Sequence, residues 1–357
     1  MSRWIDNNIA DRLYILDHVS SWKNITPESV EKDWWVTAVL KCVFELTAAP
    51  YMYFKGGTSL SKGWNLIDRF SEDIDIALYR DFFLNELHKS CAACTTNNQI
   101  MNLRKVSRDY VTTDLKAELE ERLKADGLSD IRIEAVTTRQ TSEGEKPIDH
   151  DSDPTVLNVH YKSILSPTDK YVRPVVKIEI SCLSLKEPYQ PKAIRSIISE
   201  RFPDEDTQTA STIPTVLPTR TFLEKAFLLN EEYQRPNPRT IRMSRHLYDL
   251  ERMMDTHYAA QALADSALYR TIVEHRRKFY RIKGIDYDTD LPDSITFCPT
   301  GQLLDRMADD YRNMTSSFIY GTPPDFDTLI ARMQELQTRF RRIGQLGRAI
   351  SINIEKS

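Results

Sequence analysis

Apolar positions recur at helical spacing in residues 30–46, where Trp34, Trp35, Ala38, Val39, Cys42 and Val43 share a stripe behind Pro27-Glu28. That pattern predicts a helix buried against a sheet, and residues 1–50 as a whole read as helical. The period then changes. Residues 51–54 are a short aromatic run that predicts a strand ending at Gly56-Gly57. Thr58 or Ser59 is placed to cap a helix running to about Leu66. From Asp73 the chain alternates, with Asp73 and Asp75 on one face of a strand and Ile74 and Ile76 on the other. Residues 80–124 are mostly helical in pattern, broken at 95–98, with Arg104, Lys105 and Arg108 expected on a solvated face. Residues 131–136, 155–164 and 172–180 alternate as strands, the last two pairing through a turn at 166–169. The acidic residues 143–154, with their Pro and Gly, predict an exposed loop.

Beyond Pro218 the pattern becomes helical throughout, at about 222–233, 240–255, 259–280, 302–318 and 326–349. Thr221 and Glu224 have the spacing of a capping box for the first of these. The prolines at 214 and 218 mark the border. The expected class is α+β (mixed α/β), with a domain at 1–215 built on a sheet with flanking helices and an α-helical domain at 216–357. No internal repeat is visible.

Composition narrows the picture only slightly. The chain has 357 residues, 41% hydrophobic and 28% charged, and a net charge of −4. It has ample length for a sizeable core, and no global positive charge announces nucleic acid. Five scattered cysteines argue against a disulfide framework and fit a reducing cytoplasm. Cys91 and Cys94 have the gap of a metal pair, but no second pair follows to complete a site. No long apolar run or leader pattern points to a membrane, so the expected location is cytoplasmic.

The chemistry concentrates between residues 55 and 75. Glycine at 56 and 57 lets an anion approach the backbone closely, and a helix start beside it offers N–H groups to phosphate. Gly56, Gly57, Thr58 and Ser59 are thus candidate phosphate contacts, with Lys62 and Arg69 nearby as secondary ones. Asp73 and Asp75 on one face repel unless a cation lies between them, and hard divalent ions such as Mg²⁺ favour such oxygen pairs.

Gly-Gly-Thr-Ser followed by Asp-x-Asp resembles the signature of the DNA polymerase β-like nucleotidyltransferases. The fuller string, Lys55 to Ser59 and then Leu66-Ile67-Asp68-Arg69-Phe70-Ser71-Glu72-Asp73-Ile74-Asp75, resembles the AbiEii/AbiGii toxin family more specifically. Glu31-Lys32-Asp33-Trp34-Trp35 is similar to a pattern found ahead of the glycine loop in that family, which implies a place for Lys32 and Asp33 near the site. The resemblance implies a polymerase β-like sheet, a third carboxylate from a neighbouring strand (Glu179 is the natural candidate) and two Mg²⁺ ions held by Asp73, Asp75 and Glu179. Lys225 matches the lysine of the family's "EK" helix and Asp249 the acid of a later helix, which implies a phosphate contact for Lys225 and, for Asp249, orientation of that lysine or of an arginine, or activation of the acceptor hydroxyl. In the pattern Arg242, Arg245 and Asp249 share a helix face, making the two arginines further phosphate candidates. His246 beside them is more naturally structural. Arg276-Arg277-Lys278 and Arg339, Arg341 and Arg342 offer positive charge for a phosphate backbone.

The resemblance implies a toxin of a toxin–antitoxin or abortive phage-infection system. It would transfer NMP from NTP to an RNA, preferably a tRNA 3′ end, release pyrophosphate and be paired with a cognate antitoxin. The same site also suits transfer to a protein or small molecule. A non-catalytic nucleotide-binding module is the third reading, and the intact Asp73 and Asp75 weigh against it.

Overall fold

The computed structural model describes residues 2–141, 144–166 and 172–354. The chain divides into two compact units, Met1–Asn65 with Phe70–Val216, and Leu66–Arg69 with Leu217–Ser357. In the first, α1 (Ile9–Lys23) is capped by the Asn8 side chain, which accepts from the Asp11 N–H at 3.0 Å. Thr26 caps α2 (Pro27–Val43) in the same way, with Pro27 in the first turn, where its missing N–H costs nothing. Helix α2 is buried almost all round, charged residues included.

Strand β1 (Met52–Lys55) runs into a short helical turn, α3 (Gly56–Thr58), which continues as a wider π turn, Ser59–Gly63. Strand β2 (Asp73–Leu78) follows. Then come α4 (Asp81–Asn85), α5 (Asn97–Tyr110), α6 (Lys116–Ala125), β3 (Ile131–Ala135) and the small hairpin of β4 (Thr138–Thr141) and β5 (Gly144–Pro147). Strands β6 (Thr155–Tyr161), β7 (Val175–Ser181) and β8 (Tyr189–Ile194), helix α7 (Ile197–Arg201) and strand β9 (Ser211–Val216) complete the unit. The main sheet has the order β3-β6-β7-β2-β1-β9-β8. It is mixed, with β2–β7 and β1–β9 parallel and β1–β2, β6–β7, β3–β6 and β8–β9 antiparallel. The inner face of its centre, with Ile74, Ile76, Ile178 and Ile180 fully buried, packs towards α2.

Three local expectations are corrected. Thr58 and Ser59 do not cap a helix; they lie inside the turn, which ends at Gly63 rather than Leu66, because Gly56 already turns the chain. Gly144–Pro147 pairs with Thr138–Thr141 instead of forming an open loop; Glu143, like the turn residues 167–169, lies outside the described residues. Arg108 is buried and Arg104 and Lys105 are half-buried, so the three do not lie on a solvated face; the helix packs on this side. The break before α5 falls as expected, at Thr96, which forms a capping box with Gln99.

The second unit contains α8 (Pro218–Tyr233), α9 (Ser244–Met253), α10 (His257–Ala264), α11 (Ser266–Phe279), α12 (Gln302–Phe318) and α13 (Phe326–Ile354). Helix α8 starts one turn earlier than predicted. Pro218, with its fixed φ, opens it, and Glu224 takes Arg220 at 3.0 Å instead of closing a capping box with Thr221. The predicted helix at 259–280 is two helices, because the Asp265 side chain accepts from the Leu268 N–H at 2.8 Å and starts a new one. Residues Leu66–Arg69 belong here through the Tyr320 N–H bond to the Asp68 carbonyl and the Asp68–Arg252 pair, 2.9 and 3.0 Å.

A buried polar knot ties α8 to α11 and the turn Tyr287–Asp290. Arg276 donates to both Glu231 oxygens at 2.5 and 2.7 Å, and Asn230 donates to Asp290 at 2.8 Å. The Tyr269 hydroxyl donates to the Asp290 carbonyl. Burial and the neighbouring Glu231 push the Asp290 carboxyl up to about 8. Folded Asp290 therefore keeps a proton that an unfolded aspartate, with pKa near about 3.9, gives up. The stability it confers is complete below that lower value and is lost as pH rises towards the folded one. Asp290→Asn, which keeps the shape without the titration, should flatten the fall in thermal midpoint between about pH 5 and pH 8. An equal slope in the two proteins would count against the protonated acid.

Candidate active site

Strand β1 delivers the chain to Gly56 at φ +78°, a conformation that side chains rarely adopt. Space demands glycine as well. A Cβ at Gly56 would overlap the Asp75 carboxylate, with the Asp75 Cγ only 2.6 Å away. The bend is thus pressed against one of the two acids. The Thr58 hydroxyl donates to the Asp73 carbonyl and is hydrogen-bonded to the Ser71 hydroxyl at 2.8 Å, while the Ser59 hydroxyl donates to the Gly56 carbonyl at 2.9 Å. Both residues are fully buried. Their hydroxyls, expected on phosphate, pin the loop to the start of β2, so what the loop presents is main chain, the N–H groups that open the turn.

Asp73 and Asp75 are half-buried on one face of β2, with Ile74 and Ile76 sealed on the other. Registers complete that face, since residues paired directly across strands project to the same side. Lys55 of β1 and Glu179 of β7 flank Asp75, and Lys177 flanks Asp73. Three carboxylates face two ammonium groups. Lys177 is bonded to Glu179, and Lys55 donates to Ser184 Oγ at 3.2 Å. Burial pushes the Lys177 ammonium down, but Glu179, Asp73 and Asp75 outweigh it and leave its pKa raised.

The expected three-acid metal site is not assembled here. Glu179 is tied to Lys177, and among the described residues no three His, Cys, Asp or Glu side chains group as a metal site. What remains, two oxygen-donor side chains beside a glycine main chain, fits Mg²⁺, which takes one or two protein carboxylates and leaves its other positions to water and substrate phosphate.

Two buried ion pairs hold the segment between bend and acids. Lys62, a candidate for phosphate, is bound instead to Asp33 at 2.5 Å and to the Arg195 carbonyl at 3.1 Å. Glu72 is bound to Lys32 at 2.5 Å. Asp33 also accepts from the Ile197 N–H at 2.7 Å. Lys32 and Asp33, on consecutive positions of α2, thus clamp the loop at both ends.

In the helical unit a second charged group is built on Asp249 of α9, which is wholly buried. Arg69 reaches it with both arms, Nε at 2.7 Å and Nη2 at 2.8 Å, and Lys225 of α8 at 2.7 Å. Burial pushes the Asp249 carboxyl up, but the two cations outweigh it and hold it well below the usual range. The Lys225 ammonium is lowered by burial, with Arg69 adding to the effect and Asp249 opposing it. Arg69, expected on phosphate, is the fork that grips Asp249. His246 is buried beside them, and burial with Lys225 and Arg245 drives its pKa well below the ordinary value, leaving it neutral.

The predicted face of Arg242, Arg245 and Asp249 does not form. Arg242 lies outside α9, exposed and at φ +60°, because Asp310 accepts from the N–H groups of both Arg242 and Ser244 and starts the helix there. Arg245 is half-buried on the first turn. Of the later basic clusters, Lys278, Arg341 and Arg342 are exposed, and the other three members are in ion pairs. Arg276 is buried on Glu231, Arg277 is paired with Glu274 and Asp288, and Arg339 with Asp255 and Glu335. Sequence reasoning placed Lys177 on the face of Glu179 but missed Lys55, which joins the acid face only through its pairing with Asp75.

Asp249→Ala leaves Arg69 and Lys225 buried without a counter-charge and should cost about 3–5 kcal/mol in denaturant unfolding. The depressed carboxyl works in the opposite sense to Asp290. Its contribution is present above the unfolded value of about 3.9 and is lost as pH falls below it. A variant as stable as the parent at neutral pH would refute this account of the triad.

The family described as "Nucleotidyl transferase AbiEii toxin, Type IV TA system" matches residues 39–332, a span that includes the glycine bend, both acids, Glu179, Lys225 and Asp249. The comparison with curated proteins gave no match. No helix among the described residues is long and apolar enough to cross a membrane. With the matched span covering most of its length, the chain belongs to the AbiEii nucleotidyltransferase toxin family.

Proposed function

We propose that this nucleotidyltransferase moves NMP from a Mg²⁺-bound NTP to an RNA acceptor, with a tRNA 3′ end preferred, in the cytoplasm, and that a cognate antitoxin restrains it. The carrying observation is the contact of Gly56 with the Asp75 carboxylate, which puts a main-chain phosphate cradle against an oxygen ligand. In the reaction an acceptor hydroxyl oxygen bonds to the α-phosphorus and loses its proton. The bond from that phosphorus to the β-phosphate oxygen breaks, and pyrophosphate leaves. Asp73 and Asp75 would hold Mg²⁺, for which the proposal takes two ions. When bound, Mg²⁺ supplies a lowered pKa for the acceptor hydroxyl and offsets charge on the triphosphate. Gly56 and Gly57 admit the phosphates to the backbone. Glu179 joins the acids once Lys177, its counter-ion, releases it.

Lys225 and Asp249 carry in this proposal the roles the family resemblance gives them, phosphate contact and orientation of that lysine. Their 2.7 Å pair supports the second role directly. The RNA acceptor rests on the resemblance; of the basic clusters of the helical unit, Arg276, Arg277 and Arg339 are spent on internal pairs. Incubation with α-labelled NTPs, Mg²⁺ and total tRNA should label RNA. Asp73→Asn and Asp75→Asn should each lower labelling more than about 100-fold. Label on protein with none on RNA would replace the acceptor, and equal labelling by the variants would remove the assigned chemistry.

A further inference from the structure

The charged row of the first unit does not stop at Lys55. Phe54 of β1 faces Thr215 of β9, so Lys55 and Val216, the next residues along these parallel strands, share the acid face. Val216 in turn is paired with Tyr189 of the edge strand β8. Glu179, Asp75, Lys55, Val216 and Tyr189 therefore form one row across five strands. Tyr53 stands one step behind Lys55 on the same face, and Tyr79 continues the face of Asp73 and Asp75 along β2.

The three phenol rings are packed together. The Tyr53 ring centroid is 4.4 Å from that of Tyr79 and 4.6 Å from that of Tyr189, both tilted. Tyr79 is fixed from behind, since its hydroxyl donates to the Glu187 carbonyl at 3.4 Å and accepts from the Glu187 N–H. Tyr53 and Tyr79 are buried, whereas Tyr189 is 48% exposed. A rigid aromatic step thus ends in one open ring. It stands three strand spacings from Asp75, about 14 Å, a separation suited to a nucleotide whose phosphates lie at the acids.

We propose that Tyr189, backed by Tyr53 and Tyr79, is the stacking platform for the base of the nucleoside triphosphate, with its phosphates towards Asp75 and Gly56. The proposal rests on the nucleotidyltransferase reading of the acid face. Stacking on a ring is tolerant of base identity because every base has a π face, so the platform supplies affinity for a base without selecting one.

Titration of the full-length protein with Mg²⁺ and an α,β-imido NTP, and separately with Mg²⁺ and tripolyphosphate, tests this without an acceptor. Tyr189→Leu should weaken the nucleotide analogue on the order of tenfold and leave tripolyphosphate unchanged. Tyr189→Phe should bind both as the parent does. A Tyr189→Leu protein that binds the analogue as tightly as the parent would overturn the platform, and so would equal weakening of both ligands, which marks a structural role. If only the KM for RNA rises, the ring serves the acceptor and the proposal fails. A parent protein that binds neither ligand would remove the nucleotide reading itself.

Discussion

The contact between Gly56 and the Asp75 carboxylate is the constraint on which the rest of the catalytic unit depends. It fixes the glycine by conformation and by space together, and it places the main chain where a side chain would otherwise stand. Everything around it maintains that approach. Thr58 and Ser59 spend their hydroxyls inside the loop, and the pairing of Lys55 with Asp75 continues the same closeness along the sheet. The glycine proposed to admit phosphate and the carboxylate proposed to hold Mg²⁺ lie on opposite sides of one van der Waals contact.

Buried ion pairs then hold the surrounding segments. Such pairs add little net stability, because desolvation offsets their attraction, but losing one partner is costly, so they specify position. Lys62 with Asp33 and Lys32 with Glu72 do this on either side of the loop and β2. Arg69 and Lys225 on Asp249 do it within the helical unit. Several residues whose charge suggested phosphate binding therefore serve the scaffold, and the acid face is left with lysines that temper its charge.

The fold class and the acid pair were legible because they are local. Alternation of Asp and Ile across positions 73–76 states a face, and Gly-Gly after an aromatic run states a bend. Partners are not local. Nothing near Lys62 or Arg69 in the sequence announces Asp33 or Asp249, so their positive charge carried only the phosphate reading, and the ion pairs came to light with the side chains. Helix limits failed for a related reason. Pro218 outranked the Thr221 capping pattern at the start of α8, and Asp310, distant in sequence, decided that Arg242 stays out of α9. Glu179 was found by its strand position, whereas its bond to Lys177, two residues away on the same face, required the side chains themselves.

The mixed strand order also bears on how the enzyme comes into being. Strand β1 lies between β2, its near neighbour in sequence, and β9, which the chain reaches only after six further strands. Non-local pairings of this kind close long loops and form slowly. On a ribosome the two aspartates emerge well before the strand that brings Lys177 and Glu179 beside them, and before β8 and β9 close the opposite edge. Synthesis alone therefore keeps a growing chain without a finished acid face until most of the first unit has been made, so no toxicity that depends on that face can precede the unit's assembly.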